Sequence, residues 1–449
     1  LPLFTNGISN IQADLLHAYE DGVEAVGQLQ LMDYGNPLYI NKGMAVGKQM
    51  MARVTQINSA GHRHFRSRYY SGTTMSTEDP WQWSASHSYN LLHTSYLLSL
   101  YNGSPKLQKM LVEIADGLIA HADKSGNIHP EVNFSTDEVK GGPGSQSVLQ
   151  VFKAAYDITG DKKYLSFIRR RGGGNRSFNK DSLAASYTGR IKDYGAREYI
   201  NTVGTVWIDR IVANDNDLQT DRLGGVALTR INNTYPENYV SWKIAKPATY
   251  ESLAVYVTKG SAQAINVIAY NLEQRLISAD MGVWNIKPGR WKITQGVDNN
   301  GDGKADGSIT EKVIDLERGQ SVKFNFAARK NTIIKLELVQ AAKTDYKDRT
   351  DIGIAPTDVK VNDNQLNVRV YNVSSINSPQ TTLLVRDATG KSVKTVTVPA
   401  IPAPLDLTPK YADITVTLPA GTDISTGSVQ LDPATKLVQI TRLNDFVKW

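Results

Sequence analysis

The histidines of this chain are concentrated near its beginning. All seven precede residue 130 in a chain of 449 residues. Four of them lie in one stretch that is also rich in arginine, tyrosine and tryptophan, namely His62, His64, His87 and His93. Imidazole is the side chain whose unperturbed charge changes closest to neutral pH, so proton-transfer chemistry is most expected in this stretch.

The same part of the chain lacks carboxylates. No Asp or Glu occurs between Asp33 and Glu78, whereas basic residues occur throughout: Lys42, Lys48, Arg53, Arg63, Arg66 and Arg68. The basic residues are not accompanied by a helix-turn-helix, zinc-finger or RNA-recognition signature. We therefore expect the partner to be an acidic polysaccharide or oligosaccharide rather than a nucleic acid.

These residue types suit β-elimination on a uronic acid. The C5 proton can be removed when the neighbouring carboxylate is neutralised, because charge then builds up in an enolate-like transition state that must be stabilised. A His or Tyr can take that proton, and a Tyr can return one to the leaving oxygen. The predicted catalytic residues are Arg66 and Arg68 for neutralisation, His64 or His87 as proton acceptor, and Tyr70 as proton donor.

Further residues around this stretch are predicted to bind the substrate. The tryptophans would offer apolar faces to sugar rings, and the polar residues would bind hydroxyl and carboxylate groups. The predicted substrate-binding residues are His62, Arg63, Tyr69, Trp81, Trp83, Asn90 and Glu131.

Other interpretations of the stretch stay open. It could be a basic, aromatic loop that only covers a helical core. It could bind a metal, although the spacings of His62 to His64 and His87 to His93 differ from the helical zinc pair. A glycoside hydrolase would need two carboxylates, and Glu131 and Asp137 lie in a loop between two predicted helices. A non-catalytic glycan-binding surface protein would need only the β units and the tryptophans.

A second motif has the spacing of a calcium loop. Oxygen ligands recur at positions 1, 3, 5 and 9 with a backbone carbonyl at 7: Asp298, Asn300, Asp302, Asp306 and Lys304 respectively. Gly303 takes the turn position, but Ile309 replaces the glutamate expected at position 12. We predict a structural calcium ion here; the alternative is an Asx-rich hairpin turn without metal.

The elements that must position these residues change along the chain from helical to extended. The period of apolar residues predicts helices over 10–31, 43–57, 87–101, 107–118, 148–158 and 181–199. It predicts strands over 226–231, 239–245, 252–259, 264–272, 281–286, 322–327 and 332–339, and again over 365–373, 381–386, 393–398, 412–418 and 436–442. The charged stretch 343–351 is interpreted as a linker.

These patterns predict a multidomain α + β protein. We expect an N-terminal α/α-toroid-like helical domain over 1–205, which carries the site and contains fewer helices than a closed toroid needs. Two antiparallel β-sandwich domains would follow, one over 206–342 with the calcium-type loop and an immunoglobulin-like module over 352–449.

Composition narrows the class of protein. The chain has no cysteine, which excludes disulfides and thiolate chemistry. It has no apolar run long enough for a transmembrane helix, and it begins Leu1-Pro-Leu-Phe without a methionine. We expect a processed bacterial protein that is secreted, periplasmic or at the cell surface.

The chain resembles exported bacterial polysaccharide lyases in which an α/α toroid precedes β-sandwiches. Three segments carry this resemblance: 156–164 (YDITGDKKY), 81–93, and the sandwich that follows 207–210 (WIDR). The resemblance implies cleavage next to a uronate, and rhamnose-glucuronate lyases are the first candidates. The last hundred residues are similar to cell-adhesion-related modules of bacterial enzymes, in 351–354 (DIGI), 366–372 (LNVRVYN), 387–390 (DATG) and 431–433 (LDP).

Overall fold

The computed structural model describes residues 33–67, 81, 92–124, 126, 128, 129, 131–140, 146–167, 221–225, 238–362, 364–423 and 425–449, with the backbone alone for 15–17, 69–71, 93 and 146–150. The chain divides into two compact units. The first joins Leu1–Arg169 to Tyr346–Trp449, and the second is Arg170–Asp345. In sequence, the second unit is therefore inserted within the first.

The N-terminal part of the first unit contains four α-helices among the described residues: α1 Pro37–Gln49, α2 His93–Asn102, α3 Pro105–Ala120 and α4 Gln146–Thr159. The side chain of Asn36 caps α1 by accepting a hydrogen bond from a backbone N–H, and Pro37 follows in the first turn. Gly103, in the left-handed region, ends α2, and Pro105 begins α3. A single short turn thus reverses the chain between α2 and α3.

The helical stripe predicted over 107–118 is confirmed. Its apolar side chains are fully buried: Leu107, Met110, Leu111, Ile114 and Leu118. Helix α3 packs against α4, whose Val151, Phe152 and Ala155 are also fully buried. This pair of helices therefore shares an apolar interface.

Within the described ranges of this N-terminal part, three two-stranded antiparallel sheets interrupt the helices. Strand β1 Leu15–His17 pairs with β4 Tyr69–Ser71, β2 Thr55–Ile57 with β3 Arg63–Phe65, and β5 Glu131–Val132 with β6 Val139–Lys140. The helix predicted over 43–57 is therefore only partly right. Helix α1 ends at Gln49, a π-helical turn covers Met50–Val54, and the β-branched end of the segment forms β2 because a partner strand is present.

The fold class is confirmed only in its coarser form. The protein is mixed and rich in strands, with several antiparallel sheets, but the N-terminal toroid is not confirmed. The predicted helix 181–199 and most of 10–31 lie outside the described residues. The described part of 10–31 contradicts the predicted helix, because Leu15–His17 form strand β1 through pairing with β4. None of the described helices is both long and apolar enough to span a membrane.

The C-terminal part of the first unit is a β-sandwich. One sheet contains β15 Ile352–Gly353, β16 Val359–Asn362, β17 Gln365–Asn372 and β20 Lys410–Thr417; the other contains β18 Thr381–Arg386, β19 Ser392–Val398, β21 Ser428–Leu431 and β22 Phe446–Lys448. Their inward side chains share one core, which includes Val368, Val385 and Leu431. The strand predicted over 436–442 is wrong. Arg442 in that segment is held in a loop by ion pairs to Asp432 and Asp445.

The segment predicted as a linker is packed in its second half. Tyr346, Arg349 and Asp351 are at most 3% exposed. The Tyr101 hydroxyl at the end of α2 donates to Asp351 Oδ2 at 2.5 Å, and the Asn102 side chain donates to the Val373 carbonyl oxygen. The C-terminal sandwich is therefore joined to the helices by buried polar contacts and is not a detached spacer.

The second unit contains another antiparallel sandwich, described from residue 238 onward. A three-stranded sheet contains β7 Val240–Ile244, β10 Ile277–Val283 and β13 Ser321–Phe326; a five-stranded sheet contains β8 Leu253–Ser261, β9 Ala264–Asn271, β11 Gly289–Asp298, β12 Gly307–Leu316 and β14 Asn331–Ala341. Their common core includes Met281, Trp291 and Phe326. Strands β11 and β12 were not predicted, and 226–231 lies outside the described residues.

Candidate functional site

Three histidines and one aspartate converge in the first unit. His62, His64, His121 and Asp137 each place one potential ligand atom within 4.8 Å of the others. His62 Nδ1 lies 3.0 Å from Asp137 Oδ2, while the Nε2 atoms of His121 and His64 lie 3.3 and 3.8 Å from Asp137 Oδ1. We call these four residues the His–Asp cluster. One carboxylate is thus shared by three imidazoles.

The β2–β3 hairpin positions the first two histidines. Its turn is held by Asn58, whose side-chain oxygen accepts hydrogen bonds from the backbone N–H groups of Ala60 and His62. Strand pairing then sets Gln56 opposite His64. His64 is fully buried, whereas the His62 side chain is 30% exposed. The hairpin therefore gives the cluster one enclosed and one solvent-facing imidazole.

Helix α3 provides His121, and it also leaves space for the ring of His64. His121 caps the helix C-terminus, four residues after Gly117, so both lie on the same side of the helix. A Cβ atom at Gly117 would lie 3.0 Å from the Arg63 carbonyl oxygen and 3.1 Å from His64 Cε1. The missing side chain lets the hairpin lie directly on the helix, which brings His64 to His121.

The β5–β6 hairpin provides the aspartate. Asp137 adopts a positive φ of 62°, a conformation that Asp tolerates better than most residues. Its N–H donates to the Asn133 carbonyl oxygen at 2.8 Å, and its Oδ1 accepts a hydrogen bond from Asn58 Nδ2 at 2.5 Å. Asn58 therefore links the two hairpins and orients the carboxylate.

This second hairpin carries a lysine and pairs with an aromatic residue from a separate segment. Trp81 forms an isolated antiparallel bridge with Asn133, and Lys140 Nζ lies 3.9 Å from the centre of a Trp81 ring. The pairing of β5 with β6 sets Glu131 opposite Lys140. The hairpin that carries Asp137 thus also presents an aromatic face and an ammonium group.

Burial determines the protonation of the cluster. Burial, with the nearby His121, lowers the pKa of His64 to about 3, and burial also lowers the pKa of His121 against the opposing effect of Asp137. Burial alone would raise the pKa of Asp137, but the hydrogen bond from Asn58 and the charge of His121 leave it below its usual value. At neutral pH the cluster therefore contains neutral imidazoles at His64 and His121 and an ionised carboxylate.

Several of these imidazole nitrogens have no hydrogen-bond partner. Both ring nitrogens of His64 and Nε2 of His121 are buried and unpaired; the 3.3 Å approach of His121 Nε2 to Asp137 lacks the orientation of a hydrogen bond. Lone pairs of neutral imidazoles beside a carboxylate can bind a transition-metal ion. Alternatively, the contact between His62 and Asp137 resembles the carboxylate-oriented histidine of acid–base sites.

The structure brings some predicted site residues together and not others. His62 and His64 are in the cluster, and Trp81 and Glu131 lie at the hairpin that carries Asp137. Arg63 instead donates to Glu113 at 2.6 Å and to the Thr55 carbonyl oxygen, and Arg66 donates to the Arg53 carbonyl oxygen at 3.2 Å. Other predicted side chains lie outside the described residues: Arg68, Tyr69, Tyr70, Trp83, His87 and Asn90.

Sequence reasoning missed His121 and the position of Asp137 within a histidine cluster. The available signal was a histidine at the end of a strongly predicted helix, on the face marked by Gly117. That signal does not show which distant hairpin covers the face. The pairing of residues 62–64 with residues 121 and 137 is decided by tertiary packing alone.

The calcium-type loop joins β11 to β12 in the second unit. Asp298 accepts hydrogen bonds from the N–H groups of Gly301 and Gly303. Further side-chain turns follow, with Asn300 accepting from Asp302 N–H and Asp302 from Lys304 N–H. Asp306 Oδ1 accepts from Asn299, at its backbone N–H and its side-chain amide. These internal hydrogen bonds hold the conformation of the loop. The binding of a calcium ion to it stays a prediction.

Comparisons with known proteins do not assign this chain to a family. Neither a protein-family model nor a curated protein sequence matches the chain. Among solved structures, it is similar to a β-1,2-glucanase from Parabacteroides distasonis at 8% identity and a TM-score of 0.14, over 47% of this chain and 36% of that one. It is also similar to a β-porphyranase of glycoside hydrolase family 86 from Bacteroides plebeius, at 10% identity and a TM-score of 0.12, over 38% and 34% of the two chains.

A third similar structure is a β-D-glucuronidase from Dictyoglomus thermophilum, at 10% identity and a TM-score of 0.14, over 45% of this chain and 44% of that one. This chain spans less than half the length of each of the three structures. Likeness at these TM-scores carries no conclusion about the activity of this chain.

Proposed function

We propose that this protein is a carbohydrate-active enzyme that cleaves a uronate-containing glycan by β-elimination, with the His–Asp cluster at its active site. The observation that supports the proposal is the convergence of His62 and His64, from the carboxylate-free stretch, with His121 and Asp137. Perturbed, unpaired titratable groups that converge from distant segments are typical of functional sites. A polymeric substrate would place the enzyme outside the cytoplasm, as a secreted, periplasmic or surface protein.

Trp81 and Lys140 would bind the sugar. The ring of Trp81 offers an apolar face to a pyranose, and the ammonium group 3.9 Å from the ring centre can pair with a uronate carboxylate. Lys140 lies on the hairpin that carries Asp137, and Trp81 pairs with Asn133 of that hairpin, so the sugar would be held near the cluster. We propose that Lys140 shares the neutralising role that the sequence assigned to Arg66 and Arg68. The guanidinium group of Arg66 donates to the Arg53 carbonyl oxygen, and Arg68 lies outside the described residues and remains a prediction.

We propose a role for His64 that differs from the one expected from the sequence. A side chain that is 0% exposed has no surface with which to reach a proton on a polysaccharide. We therefore assign His64 to the interior of the cluster. His87 as proton acceptor and Tyr70 as proton donor remain predictions, because neither side chain is among those described.

Hydrolysis by a carboxylate pair fits the same residues less well. An inverting or retaining hydrolase needs one carboxyl group that carries a proton to the leaving oxygen. Asp137 is the carboxylate at the centre of the cluster, and its pKa is lowered rather than raised. It is therefore ionised at neutral pH and unsuited to be the acid.

The proposal is tested by incubating the full chain with a panel of uronate-containing glycans and following the far-ultraviolet absorbance of the unsaturated product. We expect the absorbance to rise together with reducing ends. Sugar release without the chromophore would contradict elimination and favour a hydrolase. Glycan binding without any product after prolonged incubation would favour a binding protein.

We also propose that Asp298, Asn300, Asp302, Lys304 through its carbonyl oxygen, and Asp306 bind a structural calcium ion. Because an ion that binds only the folded state stabilises it, added Ca²⁺ is expected to raise the melting temperature of chelator-treated protein. Asp302→Ala should abolish this rise, while Asp315→Ala on β12, outside the loop, should preserve it. A wild-type melting temperature insensitive to Ca²⁺ would remove the assignment.

A further inference from the structure

We propose that His62, His64, His121 and Asp137 form a binding site for a divalent transition-metal ion, with Zn²⁺ as its representative. Three imidazole nitrogens and one carboxylate oxygen form a complete four-ligand set for this ion. The four ligand atoms come from three separate segments and lie within 4.8 Å of one another. The proposed binding of the ion does not depend on which glycan the protein cleaves. Any role of the ion in β-elimination, however, rests on the proposed function.

The unpaired nitrogens are the second observation that points to a ligand. His64 is 0% exposed, and neither of its ring nitrogens has a hydrogen-bond partner; Nε2 of His121 is likewise buried and unpaired. A buried polar group without a partner is costly, and native structures avoid it. A metal ion bound by Nε2 of His64 and Nε2 of His121 removes part of this cost.

The distances are compatible with coordination. Zinc lies about 2.0–2.2 Å from nitrogen and oxygen ligands, so two ligand atoms of a tetrahedral site are about 3.4 Å apart. The separations of 3.0, 3.3 and 3.8 Å between the imidazole nitrogens and the Asp137 carboxylate bracket that value. The widest separation in the set, within 4.8 Å, needs to close by at most about 1.4 Å, which side-chain rotations provide.

Surrounding residues support the ligands. Asn58 Nδ2 donates to Asp137 Oδ1 and so orients the carboxylate, as outer-shell hydrogen bonds do in metal sites. Gly117 leaves room for the His64 ring against α3. His62 is 30% exposed and Asp137 19% exposed, so an ion can enter from the solvent side of the cluster.

The donor set also selects the class of metal. Imidazole nitrogen suits Zn²⁺, Ni²⁺, Co²⁺ and Fe²⁺, whereas Ca²⁺ and Mg²⁺ prefer sites made of oxygen. The chain has no cysteine that could compete as a thiolate ligand. The His–Asp cluster is therefore chemically distinct from the calcium-type loop, whose donors are oxygen atoms.

The inference is tested by calorimetric titration of chelator-stripped full-length protein with Zn²⁺, and by visible absorption after titration with Co²⁺. We expect a Zn²⁺ site whose affinity falls at least tenfold in His64→Ala and in Asp137→Asn, with matching loss of the Co²⁺ ligand-field bands. Asn58→Ala keeps all four ligands and is expected to weaken binding about 10- to 100-fold. If His64→Ala fails to fold, the Zn²⁺ affinity of Asn58→Ala tests the metal site instead.

Two matched controls separate this site from others. His129→Ala removes a histidine outside the cluster, and Asp302→Ala removes a ligand of the calcium-type loop; both should keep the Zn²⁺ affinity of the wild type. Failure of the wild type to bind Zn²⁺, or an affinity equal to that of the wild type in both Asp137→Asn and Asn58→Ala, would overturn the metal site. Zinc binding without glycan cleavage would retain the metal site and reject the proposed function; cleavage without zinc binding would do the reverse.

Discussion

Asp137→Ala is expected to lower the rate of unsaturated-product formation by at least about a hundredfold, at the upper end of the losses seen when the supports of a site are removed. The carboxylate is the common partner of three imidazoles, within 3.8 Å of each. Its loss leaves the imidazoles without their shared negative charge and the proposed ion without a ligand. The measurement is kcat/KM from the product chromophore on the glycan identified in the panel.

Asp137 also adopts a positive φ, so alanine brings backbone strain in addition to the loss of charge. Asp137→Asn separates the two effects, because Asn tolerates this conformation but has no charge; it too should be strongly impaired. Glu138→Ala is the matched control, since it removes an exposed carboxylate from the neighbouring position. A folded Asp137→Ala protein with wild-type kcat/KM would exclude the cluster from the active site.

The second large effect concerns the junction between the helices and the C-terminal sandwich. Asp351→Ala is expected to lower the free energy of unfolding by about 3 kcal/mol or more, because it leaves buried donors without an acceptor. The carboxyl group of Asp351 is 0% exposed and accepts hydrogen bonds from the Tyr101 hydroxyl and the Asn444 amide. Urea denaturation followed by circular dichroism measures the change.

Asp348→Ala is the matched control for Asp351→Ala. Asp348 is exposed and lies three residues earlier in the same segment, so its replacement should change the free energy of unfolding by no more than about 0.5 kcal/mol. Similar stability of the two variants would show that the buried junction is absent from the protein in solution.

The same junction makes stability depend on pH. Burial raises the pKa of Asp351 well above its usual value and, against the charge of Arg442, raises the pKa of Asp445 to about 7. The folded state therefore binds more protons than the unfolded state between about pH 4 and these raised values. The stabilisation from each group is complete below the ordinary carboxyl pKa and is lost as the pH rises through the folded pKa.

The buried histidines of the cluster have the opposite effect on the pH dependence of stability. The pKa of His64 is lowered to about 3, so its contribution grows as the pH rises towards the ordinary histidine value of about 6.5. The informative quantity is therefore the melting temperature of Asp445→Asn minus that of the wild type. This difference should become more positive as the pH rises from about 5 to 7; a constant difference would contradict the raised pKa of Asp445.

Local periodicity predicted many of the elements correctly. The helix over 107–118 and strands such as 365–372 and 381–386 follow from the alternation of apolar residues, because each such element buries one face whatever its partner. Strand β12 was missed because it exposes nearly all of its side chains and so lacks the alternating pattern. Strand β11 was missed although it buries alternate side chains over part of its length. The helix predicted over 43–57 was cut short because residues 55–57 find a strand partner eight residues later.

The candidate site was predicted only in part. The concentration of His62 and His64 in a carboxylate-free stretch located one of its segments, and the residue types suggested its chemistry. Arg63 was assigned to the substrate, but its ion pair with Glu113 on α3 could not be foreseen without knowing that this hairpin lies on that helix.

The sequence alone determined the residue types available for chemistry, the change from helical to extended segments and the presence of an ordered Asp-rich loop, since these depend on neighbours along the chain. Only the tertiary structure decided that His121 and Asp137 join His62 and His64, and that the C-terminal sandwich belongs to the same compact unit as the helices. Both results depend on contacts between residues far apart in sequence. Such contacts are made by packing, here through Gly117, Asn58 and Asp351, and no local pattern specifies them.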